Sequence, residues 1–262
     1  MINISKNDLI KEPYWFIKKS KIIDPLLFES LKKDYPDNDL YKSNLNKFGA
    51  RAGDDLYPCD YNFQKLINNS KSWKIFIEYL NSEKFLDLLF DVFYENLISE
   101  NLIVDLENYN LKKSYTPSRY QRGTSQKNLF IKKILNMIYN NKNDLYVTCD
   151  ISRADKGYGL APHCDHQYRL FSFIIYFTNP SDIGMEGGNL EIYKRKNLNS
   201  KSRQLDKSKL EIAESIVPQE NLGILFPSHH YSFHGVSPIS KIEGYRKFLY
   251  IGVASKSNFI WG

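Results

Sequence analysis

Cysteine is scarce: Cys59, Cys149 and Cys164 are spread over 262 residues. An odd number at such wide spacings gives neither a disulfide framework nor a Cys-x-x-Cys metal site. No apolar run approaches the ~18 residues that a membrane-spanning helix needs. The first residues, Met1-Ile-Asn-Ile-Ser-Lys-Asn-Asp8, lack the charged-then-apolar order of a secretory signal. No stretch rich in Gly, Ser or Pro divides the chain, and no internal repeat is visible. No dense basic block is present either. The net charge of +6 comes from Lys and Arg interspersed with Asp and Glu, the pattern of a solvated surface rather than a nucleic-acid footprint. These absences lead us to expect a soluble, cytoplasmic chain in reducing surroundings, with no membrane and no nucleic-acid partner.

What is present suffices for a core. Hydrophobic residues make up 42% of the chain and aromatic residues 15%, so one globular domain over 1–262 is expected. Pro13-Tyr-Trp-Phe-Ile-Lys18 reads as extended. Asp24-Pro25 supplies an N-cap followed by Pro at the first helical position, and Leu26, Leu27, Phe28 and Leu31 follow at helical spacing. Residues 37–62 and 107–127 show no period and read as loops. Between them, 71–100 predicts two helices, the second capped by Ser82. Phe130–Tyr139 predicts another amphipathic helix. Beyond it the pattern turns to strands: Phe171–Phe177, Gly187–Tyr193, Leu222–Pro227 and Tyr245–Ala254. Helices first and strands later argue for an α+β fold, with 1–142 mostly helical support and loops, and 143–256 the β core.

The sharpest chemical signal is His163-Cys164-Asp165. In a strand, residues i and i+2 share a face, so His163 and Asp165 are expected to project together with Cys164 packed away behind them. A second His far along the chain completes a set of two imidazoles and one carboxylate, the arrangement that suits non-haem Fe(II) oxygenases. His229, His230 and His234 all compete for that place. His166 is expected on the opposite face. On the last strand Arg246 alternates with Phe248, Tyr250 and Gly252, and an inward Arg demands an anionic partner.

The order His163-x-Asp165, Tyr176, Gly187-Gly188, His234, Arg246 resembles that of the Fe(II)/2-oxoglutarate-dependent oxygenases, in their prolyl-4-hydroxylase-like branch. The resemblance covers roughly residues 144–256. It implies a double-stranded β-helix, a jelly-roll or cupin-like core, with the N-terminal helices packed against it. It makes His163, Asp165 and His234 the metal and catalytic ligands, since His234 precedes Gly-Val-x-Pro as the family pattern does. It assigns Arg246, with Lys241 as the alternative, to the far carboxylate of 2-oxoglutarate, and Tyr176 to a second contact with it. The implied cofactors are Fe(II), 2-oxoglutarate and O2, with ascorbate as an accessory reductant.

The implied activity is hydroxylation of a C–H bond in an amino acid, a peptidyl residue such as proline, or a small metabolite, with 2-oxoglutarate going to succinate. A halogenase of this fold would lack the carboxylate ligand, and Asp165 is present. A nucleic-acid demethylase would carry a further Arg six residues after Arg246, where Gly252 stands. The rival from another class is a cupin-like protein that binds metal without turnover. Arg51, Arg119 and Arg122, in the two aperiodic stretches, are candidates for reading the substrate. Those stretches, 37–62 and 107–127, are expected to border its mouth.

Overall fold

The computed structural model describes residues 1–44, 53–113, 142–197, 202–203, 205–256 and 260–261. Among these are four helices: α1 (Pro25–Lys33), α2 (Tyr61–Asn69), α3 (Lys71–Leu80) and α4 (Glu83–Ser99). The starts of α1, α3 and α4 are set by side-chain caps. Asp24 accepts the amide of Leu27 at 3.1 Å, Ser70 that of Trp73 at 3.3 Å, and Ser82 that of Phe85 at 3.4 Å.

Among the described residues twelve strands follow the chain order β1 (Leu9–Ile10), β2 (Phe16–Ser20), β3 (Gly53–Leu56), β4 (Asn110–Leu111), β5 (Asp144–Ala154), β6 (Leu160–His163), β7 (Arg169–Tyr176), β8 (Leu190–Arg195), β9 (Leu210–Ile216), β10 (Leu222–Pro227), β11 (His234–Val236) and β12 (Arg246–Ser255). They form two sheets. The larger runs β1-β2-β10-β7-β12-β5-β3, with β4 beside β5, and the smaller runs β6-β11-β8-β9. From β5 onward the strands β6, β8, β9 and β11 lie in one sheet and β5, β7, β10 and β12 in the other.

The apolar runs of β7 and β12 are continuous because both faces of the large sheet are covered. Phe171, Phe173 and Ile175, with Leu249, Ile251 and Val253, pack against Phe28, Trp73, Phe76, Phe85 and Phe93 of the helices. The alternate residues Ile174, Tyr176 and Phe248 face Leu190, Ile192 and Val236 of the small sheet. The result is three layers, helices on a large sheet on a small one, which is the α+β arrangement expected.

Several boundaries differ from the sequence expectations. Residues 37–62 are not a plain loop. They include a 3-10 segment at Asn38–Asn44, the strand β3 and the start of α2. β3 reads Gly-Asp-Asp-Leu, poor in strand-formers. Tertiary contacts impose it: it pairs with β5, Arg153 holds Asp54 through Nε at 3.1 Å and Nη2 at 2.9 Å, and Ser152 donates to Asp55. Of 107–127, Asn110–Leu111 form β4. The helix expected at Phe130–Tyr139 lies outside the described residues, as do Arg51, Arg119 and Arg122. The N-terminal part is also less purely helical than expected, because β1, β2 and β3 extend the large sheet.

One close approach inside the small sheet is critical to the site. A Cβ on Gly235 would stand 2.7 Å from the carbonyl oxygen of Leu160, a backbone atom of the neighbouring strand. Gly235→Ala is therefore expected to force β11 away from β6 and to destabilise the fold by about 1–3 kcal/mol, the usual cost of overpacking. Urea denaturation of the variant checks this, and an unchanged midpoint would mean that β6 yields freely.

Candidate active site

His163 ends β6 and His234 opens β11, and the two are direct partners across the ladder. Their rings lie 4.5 Å apart at 51°. Each ring is turned the same way by its own backbone. Nδ1 of His163 donates to the carbonyl of Ala161 at 2.9 Å, and Nδ1 of His234 to that of Ser232 at 3.0 Å. A carbonyl can only accept, so each Nδ1 carries a proton, and the neutral ring with that tautomer leaves its Nε2 lone pair to a metal. Burial, and then the neighbouring His163, lower the pKa of His234 to about 4, so it is uncharged near neutrality.

Asp165 departs from expectation in one respect. β6 stops at His163, so Asp165 sits beyond the strand rather than on it. Its carboxylate is placed by side chains instead. Ser172 of β7 and Tyr250 of β12 both donate to Oδ2, the latter at 3.1 Å. Ser172 in turn pairs with Ser228 at 3.0 Å. Arg169 Nη1 stands 3.7 Å from Oδ1. Burial works against the charge, but Arg169 and the two histidines outweigh it and hold the carboxyl well below the usual range. Asp165 Oδ2 lies 3.8 Å from His234 Nε2. One ligand atom from each of His163, Asp165 and His234 falls within 4.8 Å of the others. Two imidazole nitrogens and one carboxylate that converge in this way fit a divalent iron with open positions.

A second pocket feature lies on the same face of β12. Arg246 is 1% exposed, yet among the described residues its Nε and Nη1 find no hydrogen-bond partner, and neither does the buried hydroxyl of Tyr176. Around the guanidinium stand the rings of Phe248 at 4.8 Å, Tyr176 at 5.2 Å and Tyr158 at 5.5 Å. Burial raises the Tyr176 pKa despite Arg246, so its O–H remains a donor. Unmade hydrogen bonds of a buried cation are costly, and a carboxylate fits the vacant donors. Lys241 by contrast is exposed, next to Glu186 in an isolated bridge.

The other histidines are committed elsewhere. His229 Nε2 meets Asn96 Oδ1 of α4 at 3.0 Å, and its ring packs on Trp261 at 4.3 Å. His230 lies 5.1 Å from the Tyr231 ring, and exposed His166 stacks on Tyr168 at 5.2 Å. Cys164 packs behind the site, where burial pushes its thiol up to about 12. Gly187 and Gly188 form the expected turn, both at positive φ. The hydroxyls of Ser172 and Tyr250 had no motif to mark them. Their signal was positional: Ser172 shares a strand face with Tyr176, and Tyr250 with Arg246.

Residues 149–251, the stretch that holds all of these groups, match the sequence profile of the 2OG-Fe(II) oxygenase superfamily. The profile covers 103 of the 262 residues, and the class of activity it supports is an Fe(II)-, 2-oxoglutarate- and O2-dependent dioxygenase, an oxidoreductase. No curated protein sequence matches the chain. Among solved structures, a Pseudomonas putida prolyl-4-hydroxylase is similar at 13% identity, with 92% of each chain covered and a TM-score of 0.47. A Phytophthora capsici prolyl 4-hydroxylase is similar at 13% identity over 93% of this chain and 60% of that one, with a TM-score of 0.48. A Trichoplax adhaerens prolyl hydroxylase, solved with a hypoxia-inducible-factor peptide, is similar at 14% identity over 92% and 84%, with a TM-score of 0.45. Among the described residues no helix is long and apolar enough to cross a membrane.

His229 yields a pH prediction. Burial, followed by the neighbouring His230, lowers its folded-state pKa to about 3. The unfolded chain protonates near the ordinary imidazole value of about 6.5. The stability tied to its neutral form is thus complete above about 6.5 and is lost as the pH falls toward 3. At pH 5 the loss for one such group is about 2 kcal/mol. His229→Gln keeps a donor for Asn96 and does not titrate. In urea denaturation of metal-free protein, wild type should lose about 2 kcal/mol more than the variant between pH 7 and pH 5. Equal losses would mean that His229 is not held neutral.

Proposed function

We propose that the chain hydroxylates an unactivated C–H bond, with His163, Asp165 and His234 holding Fe(II) and with Arg246 and Tyr176 holding the far carboxylate of 2-oxoglutarate. The supporting observation is the conjunction, between the two sheets, of a converging His-Asp-His set and a buried Arg with donors unmet among the described residues. The strand order β5-β12-β7-β10 against β6-β11-β8-β9 supports a double-stranded β-helix as the scaffold. When bound, the iron, 2-oxoglutarate and O2 together supply the oxidising chemistry, with release of succinate and CO2.

The protein's part is placement. His163 and His234 present Nε2 because their Nδ1 protons are engaged. Asp165 contributes the anion and is kept ionised by Arg169. Arg246 offers its fork to a carboxylate, and Tyr176 adds a hydroxyl donor. The aromatic walls Tyr158, Tyr176 and Phe248 exclude water from that contact and strengthen it. A cupin-like protein that merely stores metal has no use for the Arg246 pocket, which favours turnover over storage. The substrate classes consistent with the site are a peptidyl residue such as proline, a free amino acid, or a small metabolite.

The test is O2-dependent succinate formation in a panel of amino acids, proline-containing peptides and cell extract. Wild type should form succinate with at least one of them, and Asp165→Ala should form none while keeping its fold. Wild-type turnover in Asp165→Ala would remove the triad. A wild type that holds iron stoichiometrically and forms no succinate with any of them would favour the storage protein.

Arg246 can be tested separately. Hydrogen bonds to charged groups contribute on the order of 1.5–3 kcal/mol, and ~1.4 kcal/mol is a factor of ten. Arg246→Ala should weaken 2-oxoglutarate binding roughly tenfold to several hundredfold. Arg246→Lys should recover part, since Lys lacks the fork. Lys241→Ala should be near neutral. Calorimetric titration with 2-oxoglutarate separates these outcomes, and a large loss only in Lys241→Ala would relocate the contact.

A further inference from the structure

Behind the candidate ligands lies a third, small core of Tyr193, Leu210 and Phe233, with Cys164 and Leu205 packed on it. Cys164 stands between His163 and Asp165, and Phe233 immediately precedes His234. The backbone therefore sends each ligand forward and its neighbour back into this cluster. The cluster rests on β8, β9 and the connection between them. Arginines of β8 and of that connection cap carbonyls of the two loops that lead to the ligands. Arg203 Nη1 donates to the carbonyl of Asp165 at 2.7 Å and to that of Ser228 at 3.2 Å, with His229 O at 3.5 Å. Arg195 Nη2 donates to Ser202 O at 2.8 Å and to His230 O, with its guanidinium 5.0 Å from the Phe233 ring. Cys164 closes the set: its N–H reaches Arg203 O at 3.4 Å and its Sγ reaches His230 O at 3.3 Å.

None of these contacts touches a ligand side chain. Their effect is on the backbone, at the point where it is least restrained. β6 ends at His163, so no sheet ladder holds Asp165. Ser172 and Tyr250 orient the carboxylate but leave the main chain that carries it untied. Among the described residues it is Arg203 that joins the Asp165 carbonyl to the turn at Ser228 and His229.

We infer that Arg203 is a positioning residue for the metal centre: by tying the Asp165 main chain to the Ser228–His229 turn, it fixes the carboxylate opposite His163 and His234. It has this role only if those three residues hold a metal, as proposed above.

The experiment compares wild type with Arg203→Lys, Arg203→Gln and Arg203→Met. Each protein is titrated anaerobically with Mn(II), the free ion is read by electron paramagnetic resonance well below the unfolding temperature, and the Tm of the metal-free protein is recorded in parallel. Loss of an outer contact to a metal ligand typically costs 10–100-fold in affinity. Arg203→Gln and Arg203→Met should therefore bind Mn(II) about tenfold or more weakly, and Arg203→Lys should fall between them and wild type. A folded Gln or Met variant binding within twofold of wild type overturns the inference, even with a lowered Tm, because Arg203 then serves the fold alone. If neither folds, Arg203→Lys decides, and wild-type affinity in it overturns the inference. A wild type that binds no Mn(II) removes the site reading and the inference together, whereas a binding wild type with unaffected variants removes the inference only.

Discussion

The register of β6 against β11 is the constraint on which the site depends. It places His163 directly opposite His234 at the meeting ends of two strands. A slip of one residue would turn one ring away, since side chains alternate faces at every position. The register is held by a backbone contact that only a residue without a Cβ permits, Gly235 against the carbonyl of Leu160. The ladder becomes irregular immediately beyond, between His234 and Val236. The regular pairing is thus short and falls on the two histidines. Their Nδ1 bonds to carbonyls two residues back then convert strand position into ring orientation, without any other side chain taking part.

Two arginines face this inner surface, and their electrostatic situations differ. Arg169 lies against Asp165 and over the Tyr250 ring at 4.8 Å, so charge meets charge within the protein. Among the described residues, what surrounds the Arg246 guanidinium is aromatic, and ring faces offer a weaker, non-directional attraction. A lone buried charge is among the costlier features a fold can carry. The three layers tolerate it because β12 is anchored on both sides, by β5 and by β7. The carboxylate end of the site is therefore balanced before any ligand arrives, while the guanidinium end is not. A ligand with a carboxylate that reaches Arg246 relieves that imbalance, and a neutral one does not.

Much of this was legible in the chain and some was not, for physical reasons. Strands β7, β10 and β12 announced themselves because they are buried on both faces and so read as unbroken apolar runs. Asp24-Pro25 and Ser82 announced helix starts because capping is local chemistry. The coming together of His163, Asp165 and His234 could be anticipated, but the means could not. Asp165 was expected on a strand, and it is instead held by Ser172, Tyr250 and Arg169, contacts among residues up to 85 positions apart. β3 was hidden because Gly53-Asp54-Asp55-Leu56 has no strand propensity of its own, and Arg153 and Ser152 supply the pairing partners. α2 was missed because it begins inside a stretch whose polar, aperiodic start dominated the pattern. Local signals survive in sequence; contacts that override propensity do not.

The three candidate ligand positions are therefore not equally secure. His163 and His234 inherit rigidity from a sheet. Asp165 inherits it from side chains of β7 and β12 in front and from the connection between β8 and β9 behind. Regions with few backbone ladder bonds open at lower free energy than the sheets around them, so the loop at 164–166 is the part of the centre with most to gain from a ligand. A metal that joins all three side chains ties that loop to two strand ends at once. Because anything bound only by the folded state stabilises it in proportion to the logarithm of its concentration over Kd, the gain falls mainly on this loop. The carboxylate then serves two ends. It would supply the negative charge that an iron site needs, and it would link a pair of histidines on strand ends to an arm outside the ladders.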